Sequence, residues 1–180
     1  ATSRPAAAAY DGYQCAPPVV AVVVSRNPGS WFRECLEHLA AQDYPSLATL
    51  VIDAASTEDP ESLVRDVIPD AAVHRLDSNP GYGAAANQAP ELVSGAAFYL
   101  FIHDDVALAP DAVTRLVEES FRSNAGIAGP KLLDFEEPGR IRSVGNAIDK
   151  AGVTAPYAEA GELDQEQHDR VRDVFSVQGG

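Results

Sequence analysis

Six consecutive apolar residues, VVAVVV at Val19 to Val24, open the patterned part of the chain. A run of β-branched residues without alternation marks a strand buried on both faces of a parallel sheet. The polar turn Ser25-Arg26-Asn27-Pro28-Gly29 ends it, and Ser30 is placed to cap a helix of about three turns in which Phe32, Cys35, Leu36 and Leu39 recur at helical spacing. A second strand, Thr49 to Ile52, ends at Asp53, and the loop AASTEDP leads to a helix carrying Leu63, Val64, Val67 and Ile68. A short strand from Ala72 to Leu76, the loop Asp77 to Gly83 and an Ala-rich helix from Ala84 toward Leu92 follow. The apolar run AAFYLFI, Ala96 to Ile102, predicts another buried strand that stops at His103-Asp104-Asp105, and Ala112, Val113, Leu116, Val117 and Phe121 form a further helical stripe. Beyond it, Ile127 to Gly129 and Lys131 to Phe135 are expected as strands, and Arg140 to Val144 with Ala147 to Asp149 as a hairpin around Gly145-Asn146. The acidic, apolar-poor stretch Ala158 to Asp173 is expected as a mobile loop, and residues 1–18, rich in Ala and Pro, as a flexible lead-in. Strands alternating with helices predict an α/β fold around a mostly parallel sheet.

Composition narrows the function. The 180 residues are 46% hydrophobic and 22% charged, as expected of one globular domain. Thirteen Lys and Arg against 27 Asp and Glu give a net charge of −14, which excludes a broad basic surface for a nucleic acid or an anionic membrane. No apolar run approaches the roughly 18 residues of a membrane span. Cys15 and Cys35 form neither a disulfide framework nor a zinc site, and Cys35 has the setting of a buried thiol. His38, His74 and His168 lack metal-ligand spacing. The chain has no Met and stops at Gly179-Gly180, directly after the strand-like Val174 to Val177, so it is expected to be a piece of a longer protein.

In an open α/β sheet, ligands bind beyond the carboxyl ends of the strands. Three such ends carry polar residues: Ser25-Arg26-Asn27, Asp53 and His103-Asp104-Asp105. Adjacent carboxylates at the end of a buried strand repel one another unless a cation or donors meet them, and a hard divalent cation that bridges to a phosphate suits them. The segment NPGYGAAANQA, Asn79 to Ala89, places Gly81 and Gly83 just before a helix, where backbone N–H groups can approach a ligand closely. It matches neither a dinucleotide fingerprint nor a P-loop.

Taken in order, VVAVVVSRN, WFRECLEHLAAQDYPSLATLVIDAAST, NPGYGAAANQA, FYLFIHDDVALAPDAVTRLVE and GIAGPKLLD resemble the donor-binding half of the inverting family 2 glycosyltransferases, over about Val19 to Gly152. The resemblance implies a Rossmann-like, three-layer α/β/α GT-A domain over 19–180, incomplete on its C-terminal acceptor side. It implies that Asp53 binds the nucleotide base and that Asp105, with Asp104, binds Mn²⁺ or Mg²⁺. It also implies donor contacts from Ser25, Arg26, Asn27, Asn79, Gly81, Gly83, Asn87 and Asp104. The family's DxD-type motif is His103-Asp104-Asp105 here, with His in place of the first Asp, and its Asn-Gly-Ser after the base-binding Asp is Ala54-Ala55-Ser56. The glycine block is most similar to the branch of rhamnosyl- and galactofuranosyl-transferases of bacterial cell envelopes. The implied partners are a nucleotide-diphosphate sugar and a glycan or lipid-linked acceptor. The implied location is the cytoplasmic side of the cell membrane, with any attachment made by parts outside this chain. The general base is expected beyond Gly180; failing that, Asp134, Glu136 or Glu137 would be the first carboxylates to test. The competing readings are a sugar-1-phosphate nucleotidyltransferase, for which SRNPGS lacks the basic Gly-rich loop, and a non-catalytic receiver-like or nucleotide-binding module.

Overall fold

A computed structural model describes residues 16–178, so Cys15, the rest of 1–15 and the Gly179-Gly180 terminus lie outside the described residues. Residues 16–18 are tied to the sheet: the Tyr44 hydroxyl donates to the Pro17 carbonyl at 2.7 Å, and the Pro18 carbonyl accepts the N–H groups of Ala97 and Phe98.

The central sheet holds β1 (Val19–Ser25), β2 (Leu47–Asp53), β3 (Ala72–Arg75) and β4 (Phe98–His103), all parallel, in the order β3-β2-β1-β4. Strand β1, between β2 and β4, is buried along its whole length, as its unbroken apolar run demands. Successive side chains alternate between the faces. On one face Ala21 and Val23 pack with Phe32, Leu36 and Leu39 of α1 (Trp31–Ala40) and Val64 of α2 (Glu61–Val67). Val19, of the same parity, packs with Val113 and Val117 of α5 (Ala112–Ser123). On the other face Val20, Val22 and Val24 meet Ala85 and Ala86 of α3 (Tyr82–Ala86) and Ala89 of α4 (Ala89–Leu92). The architecture is therefore three layers, α/β/α. Fully burying a side chain such as Phe32 or Leu36 stabilises it by about 1.5–3 kcal/mol. The alanines of α3 and α4 have little bulk to hold the chain off the sheet, so these two short helices lie close on β1.

The α1 stripe is buried as its spacing predicts, although Ser30 stands at the N-cap without a side-chain capping bond. Gln42 links α1 to the start of α5, donating to the Ala109 carbonyl and accepting the Val113 N–H. The expected helix from Ala84 toward Leu92 is instead two short helices. A continuous helix would set the Pro90 ring against the Ala86 carbonyl and lose one hydrogen bond, so the chain restarts with Pro90 in the first turn of α4.

Past α5 the strand expectations need correction. Ile127 to Gly129 is not a strand, and Ile127 is 82% exposed; Gly126, Gly129 and Pro130 interrupt the run. The expected Lys131 to Phe135 strand shortens to β5 (Leu132–Leu133), paired with β6 (Ile141–Ser143). The hairpin around Gly145-Asn146 does not form. Gly145 has φ +88° and lies against Val174, and Asn146 exchanges backbone hydrogen bonds with the 175–176 segment. The chain turns there, and β7 (Asn146–Ile148) pairs with β8 (Thr154–Pro156) instead. That hairpin is closed by Asp149, whose carboxylate accepts the N–H groups of Ala151 and Val153, and by Gly152 at φ +84°. The expected strand-like Val174 to Val177 makes a single bridge, Asn146 to Ser176. Ala158 to Asp173 contains no helix or strand, but it is stapled by Lys131, which bonds Asp164 and Asp169, and by Arg140 donating to the Gly161 carbonyl. No helix among the described residues is long and apolar enough to cross a membrane.

Candidate functional site

The register of the sheet sets the predicted polar residues side by side. Arg75 pairs with Asp53, Asp53 with Ser25, and His103 with Val24, so the carboxyl ends of all four strands form one rim. Ser25, 1% exposed, donates its hydroxyl to Asp104 Oδ2 at 2.7 Å, joining the ends of β1 and β4. Asp105 is exposed next to it. Asn27, at φ +49°, gives its N–H to Ser56 Oγ and accepts the Thr57 N–H, which ties the turn after β1 to the turn after β2. Arg26 is exposed on this turn. The structure thus brings Ser25, Asn27, Asp53 and Asp104 together.

Asp53 is completely buried. Its carboxylate accepts the Ser56 N–H at 3.1 Å and the Ser56 hydroxyl, and Arg75 Nε lies 3.5 Å away. Arg75 itself is 41% exposed, pairs with Asp59 and donates to the Ser56 carbonyl. Any ligand group that reaches Asp53 must displace one of these partners. Ala55, within this turn, adopts φ +59°, a conformation that L-residues other than Asn and Asp rarely take.

The glycine loop reaches the rim through an aromatic contact. Tyr82 stacks on His103 with ring centroids 4.2 Å apart and planes 7° from parallel. Asn79 accepts the Gly81 N–H, and Gly81 has φ +89°, which explains the glycine. Gly83 lies in the first turn of α3, and Asn87 stands exposed at its C-cap.

Two carboxylates fit a hard cation. Among the described residues no group of three or more His, Cys, Asp or Glu is placed to hold a metal alone. Mg²⁺ and Mn²⁺, however, keep several waters and take one or two carboxylates plus substrate phosphates. Asp104, oriented by Ser25, and the exposed Asp105 offer that donor set. The negative charge is felt locally. Burial pushes the Cys35 thiol up to about 11, and Asp104 and Asp105 push it the same way, while a Val106 backbone contact opposes them. Cys35 is 2% exposed and donates to the His103 carbonyl, so it is the buried, inert thiol expected. His38 bonds the Leu108 carbonyl and His168 bonds Glu162, which accounts for both in structural terms.

Sequence reasoning missed Arg75, Ser56 and Tyr82 as parts of the rim. The strand expected over Ala72 to Leu76 put Leu76 at its end, whereas β3 stops one residue earlier, at Arg75, which places the guanidinium on the rim. The carboxylates Asp134, Glu136 and Glu137 sit in the turn after β5, with Asp134 accepting the N–H groups of the other two and Glu137 paired with Arg140. Phe135, between them, packs edge-to-face on Trp31 at 4.7 Å, so this turn reaches the first residue of α1.

No curated protein matches the chain. Solved structures do. S. aureus TarS in complex with UDP is 22% identical, with a TM-score of 0.54 over 63% of this chain and 38% of that one. The TarS complex with UDP-GlcNAc is likewise 22% identical, with a TM-score of 0.54 over 63% and 37%. The mannosyltransferase PcManGT from Pyrobaculum calidifontis, in complex with GDP-Man and Mn²⁺, is 26% identical, with a TM-score of 0.53 over 66% and 34%. This chain therefore spans less than two-fifths of the length of each of these structures. They share its mostly parallel sheet with flanking helices, the GT-A arrangement. The model of glycosyl transferase family 2 matches residues 20–171, which include the whole rim, and the chain belongs to that family.

Proposed function

We propose that this chain is the donor-binding half of an inverting, metal-assisted glycosyltransferase that moves a sugar from a nucleotide diphosphate to a cell-envelope glycan or lipid-linked acceptor. The observation that carries the reading is the Ser25–Asp104 hydrogen bond, which fixes a carboxylate at the junction of β1 and β4 beside the exposed Asp105. The UDP, UDP-GlcNAc and GDP-Man complexes of the similar structures support a nucleotide-sugar donor, and the Mn²⁺ in one of them supports a divalent ion. The glycine block carries the assignment to the rhamnosyl- and galactofuranosyl-transferase-like branch. The cytoplasmic face of the membrane follows from where nucleotide sugars and envelope precursors meet. Neither alternative gains support: SRNPGS has no basic Gly-rich loop, and the acidic pair follows β4, whereas a receiver carries its pair after the first strand.

In this mechanism an acceptor hydroxyl loses its proton to a carboxylate beyond Gly180. The oxygen attacks the anomeric carbon from the face opposite the diphosphate, and the carbon–oxygen bond to the diphosphate breaks with its electron pair on the leaving group. Asp105 with Asp104 would hold Mn²⁺ or Mg²⁺, which when bound supplies positive charge to stabilise that leaving group. Ser25 orients Asp104, Arg26 offers a cation at the rim, and the loop at Gly81 and Gly83, where no side chain stands in the way, leaves room for the phosphates. Asp53, Ser56 and Asn27 shape the pocket for the base.

Calorimetric titration of the chain with UDP and with GDP, in Mn²⁺ and again in excess chelator, tests the proposal. Binding of one nucleotide that weakens at least tenfold in chelator is expected. Absence of binding by both, or equal affinity with and without the ion, overturns the donor role or the metal role respectively.

A further inference from the structure

The Tyr82–His103 stack joins two segments that the donor reading uses separately. Tyr82 is the residue after Gly81 in the glycine loop, and His103 directly precedes Asp104 and Asp105. The rings lie face to face, with centroids 4.2 Å apart and an interplanar angle of 7°. The Tyr82 hydroxyl is buried without a hydrogen-bond partner, so the ring, and not the hydroxyl, is what the protein holds. Elsewhere the loop is held by Asn79, which accepts the Gly81 N–H, and by Leu76 and Tyr82 packed beside the cluster of Val20, Val22 and Val24. A Cβ built on Gly81 or Gly83 would meet nothing within 4 Å, and α3 is only five residues long, too short to persist without tertiary contacts. Ala85 and Ala86 seat α3 on β1, and the Tyr82–His103 stack is the contact that ties it to the end of β4.

We propose that Tyr82 and His103 are paired positioning residues: their stack locks the glycine loop to the end of β4, so that loop N–H groups and the Asp104-Asp105 pair form one preassembled surface for the donor diphosphate. This rests on the donor reading above. It gives a physical reason for His where the family carries Asp. A carboxylate at position 103 would face the negative π-cloud of Tyr82 and would put a third negative charge beside Asp104 and Asp105. Restoring the family residue in this chain therefore harms the site.

The experiment measures UDP and GDP affinity in Mn²⁺ by calorimetry for the 180-residue protein and its variants, together with amide hydrogen exchange at Ala85 and Asn87, whose N–H groups are bonded to Gly81 and Gly83, without ligand. Tyr82→Phe and His103→Phe, which keep the rings, should stay within about twofold of the parent affinity. Tyr82→Ser and His103→Asp should each weaken binding about five- to tenfold, as expected for loss of one aromatic pair, and the double variant should be no weaker than the worse single one. Exchange should quicken in Tyr82→Ser and His103→Asp alone. An affinity of His103→Asp equal to or above the parent's overturns the proposal. So does a loss in Tyr82→Phe as large as in Tyr82→Ser, which would assign the effect to the hydroxyl. If the parent binds neither nucleotide, the donor reading fails by itself, and the exchange data decide the stack: unchanged rates in all four variants overturn it.

Discussion

Arg75, the last residue of β3, brings Nε to 3.5 Å from the enclosed carboxylate of Asp53, and it does so while leaving 41% of its own side chain in solvent. One end of this pair is dry and the other wet, so removing Arg75 leaves a buried carboxylate held by Ser56 alone. Arg75→Met is expected to cost about 1–2 kcal/mol in urea unfolding, less than for a fully buried pair because the guanidinium is half-solvated. A change below about 0.3 kcal/mol would show that Ser56 suffices. Asp53→Ala is expected to cost more stability than Arg75→Met and also to weaken nucleotide binding and relax the preference between UDP and GDP.

Ala55 sits at φ +59° where the resembling family places Gly. Ala55→Gly relieves the left-handed strain of about 1–2 kcal/mol but adds chain entropy to the unfolded state, for a net gain of about 0.5–1 kcal/mol. Denaturant midpoints of the two proteins check it, with unchanged slopes.

The raised thiol of Cys35 fixes the sign of a pH effect. A thiol whose folded pKa lies above its unfolded value contributes stability that is complete below about pH 9 and is lost as pH rises toward about 11. Burial also raises Tyr44 and Tyr82, so the whole protein weakens in the same direction. The difference between the parent and Cys35→Ala isolates the thiol: its pH-dependent part should reach about 2 kcal/mol across that window. A flat difference from pH 8 to 11 would mean that the thiolate is not disfavoured.

Asp105→Ala is expected to bind UDP or GDP with the same affinity in Mn²⁺ and in chelator, at the level of the parent in chelator. Calorimetry reads this directly, and an Mn²⁺ dependence like the parent's would move the ion to other ligands.

The chain should bind donor yet transfer sugar at a negligible rate. A general base lying beyond Gly180, as proposed, would be missing from this chain, and its absence alone would remove a contribution of about 10²- to 10⁴-fold, before acceptor positioning is counted. An assay against a lipid-linked acceptor, compared with a protein extended beyond Gly180, tests it. Equal turnover would put the base within these residues, and Glu136 would then be mutated first, since Asp134 caps the turn and Glu137 is paired with Arg140.

How far sequence alone reached depended on which force shaped each segment. Burial on both faces wrote β1 as a continuous apolar run, whereas β4, expected as another buried strand, lies at the sheet edge with Ile102 buried and Phe101 40% exposed; its apolar run still located the polar residues that follow it, as the run of β1 located Ser25. The α1 stripe at Phe32, Cys35, Leu36 and Leu39 was equally plain, because one buried helical face imposes one period. Past Gly126 that force is weak: among the described residues Ile141 alone of the apolar side chains there is buried. There a contact of Gly145 with Val174, far along the chain, decides that β7 pairs forward with β8, and local pattern holds no trace of it. The same limit applied at the rim: the proximity of Arg75 to Asp53 comes from strand register, and the Tyr82–His103 stack comes from the small side chains that let α3 settle on the sheet.

The Ser25–Asp104 bond spans 79 residues of sequence. Parallel pairing of β1 with β4 closes that loop, and closing a loop of such length costs chain entropy before its contacts repay it. The rim is therefore a reporter of completed folding: no partly folded form with β4 undocked can present Asp104 to a nucleotide. A donor that binds only the finished rim draws the folding equilibrium toward it, so nucleotide at a hundred times its dissociation constant should add about 2.7 kcal/mol to the apparent stability.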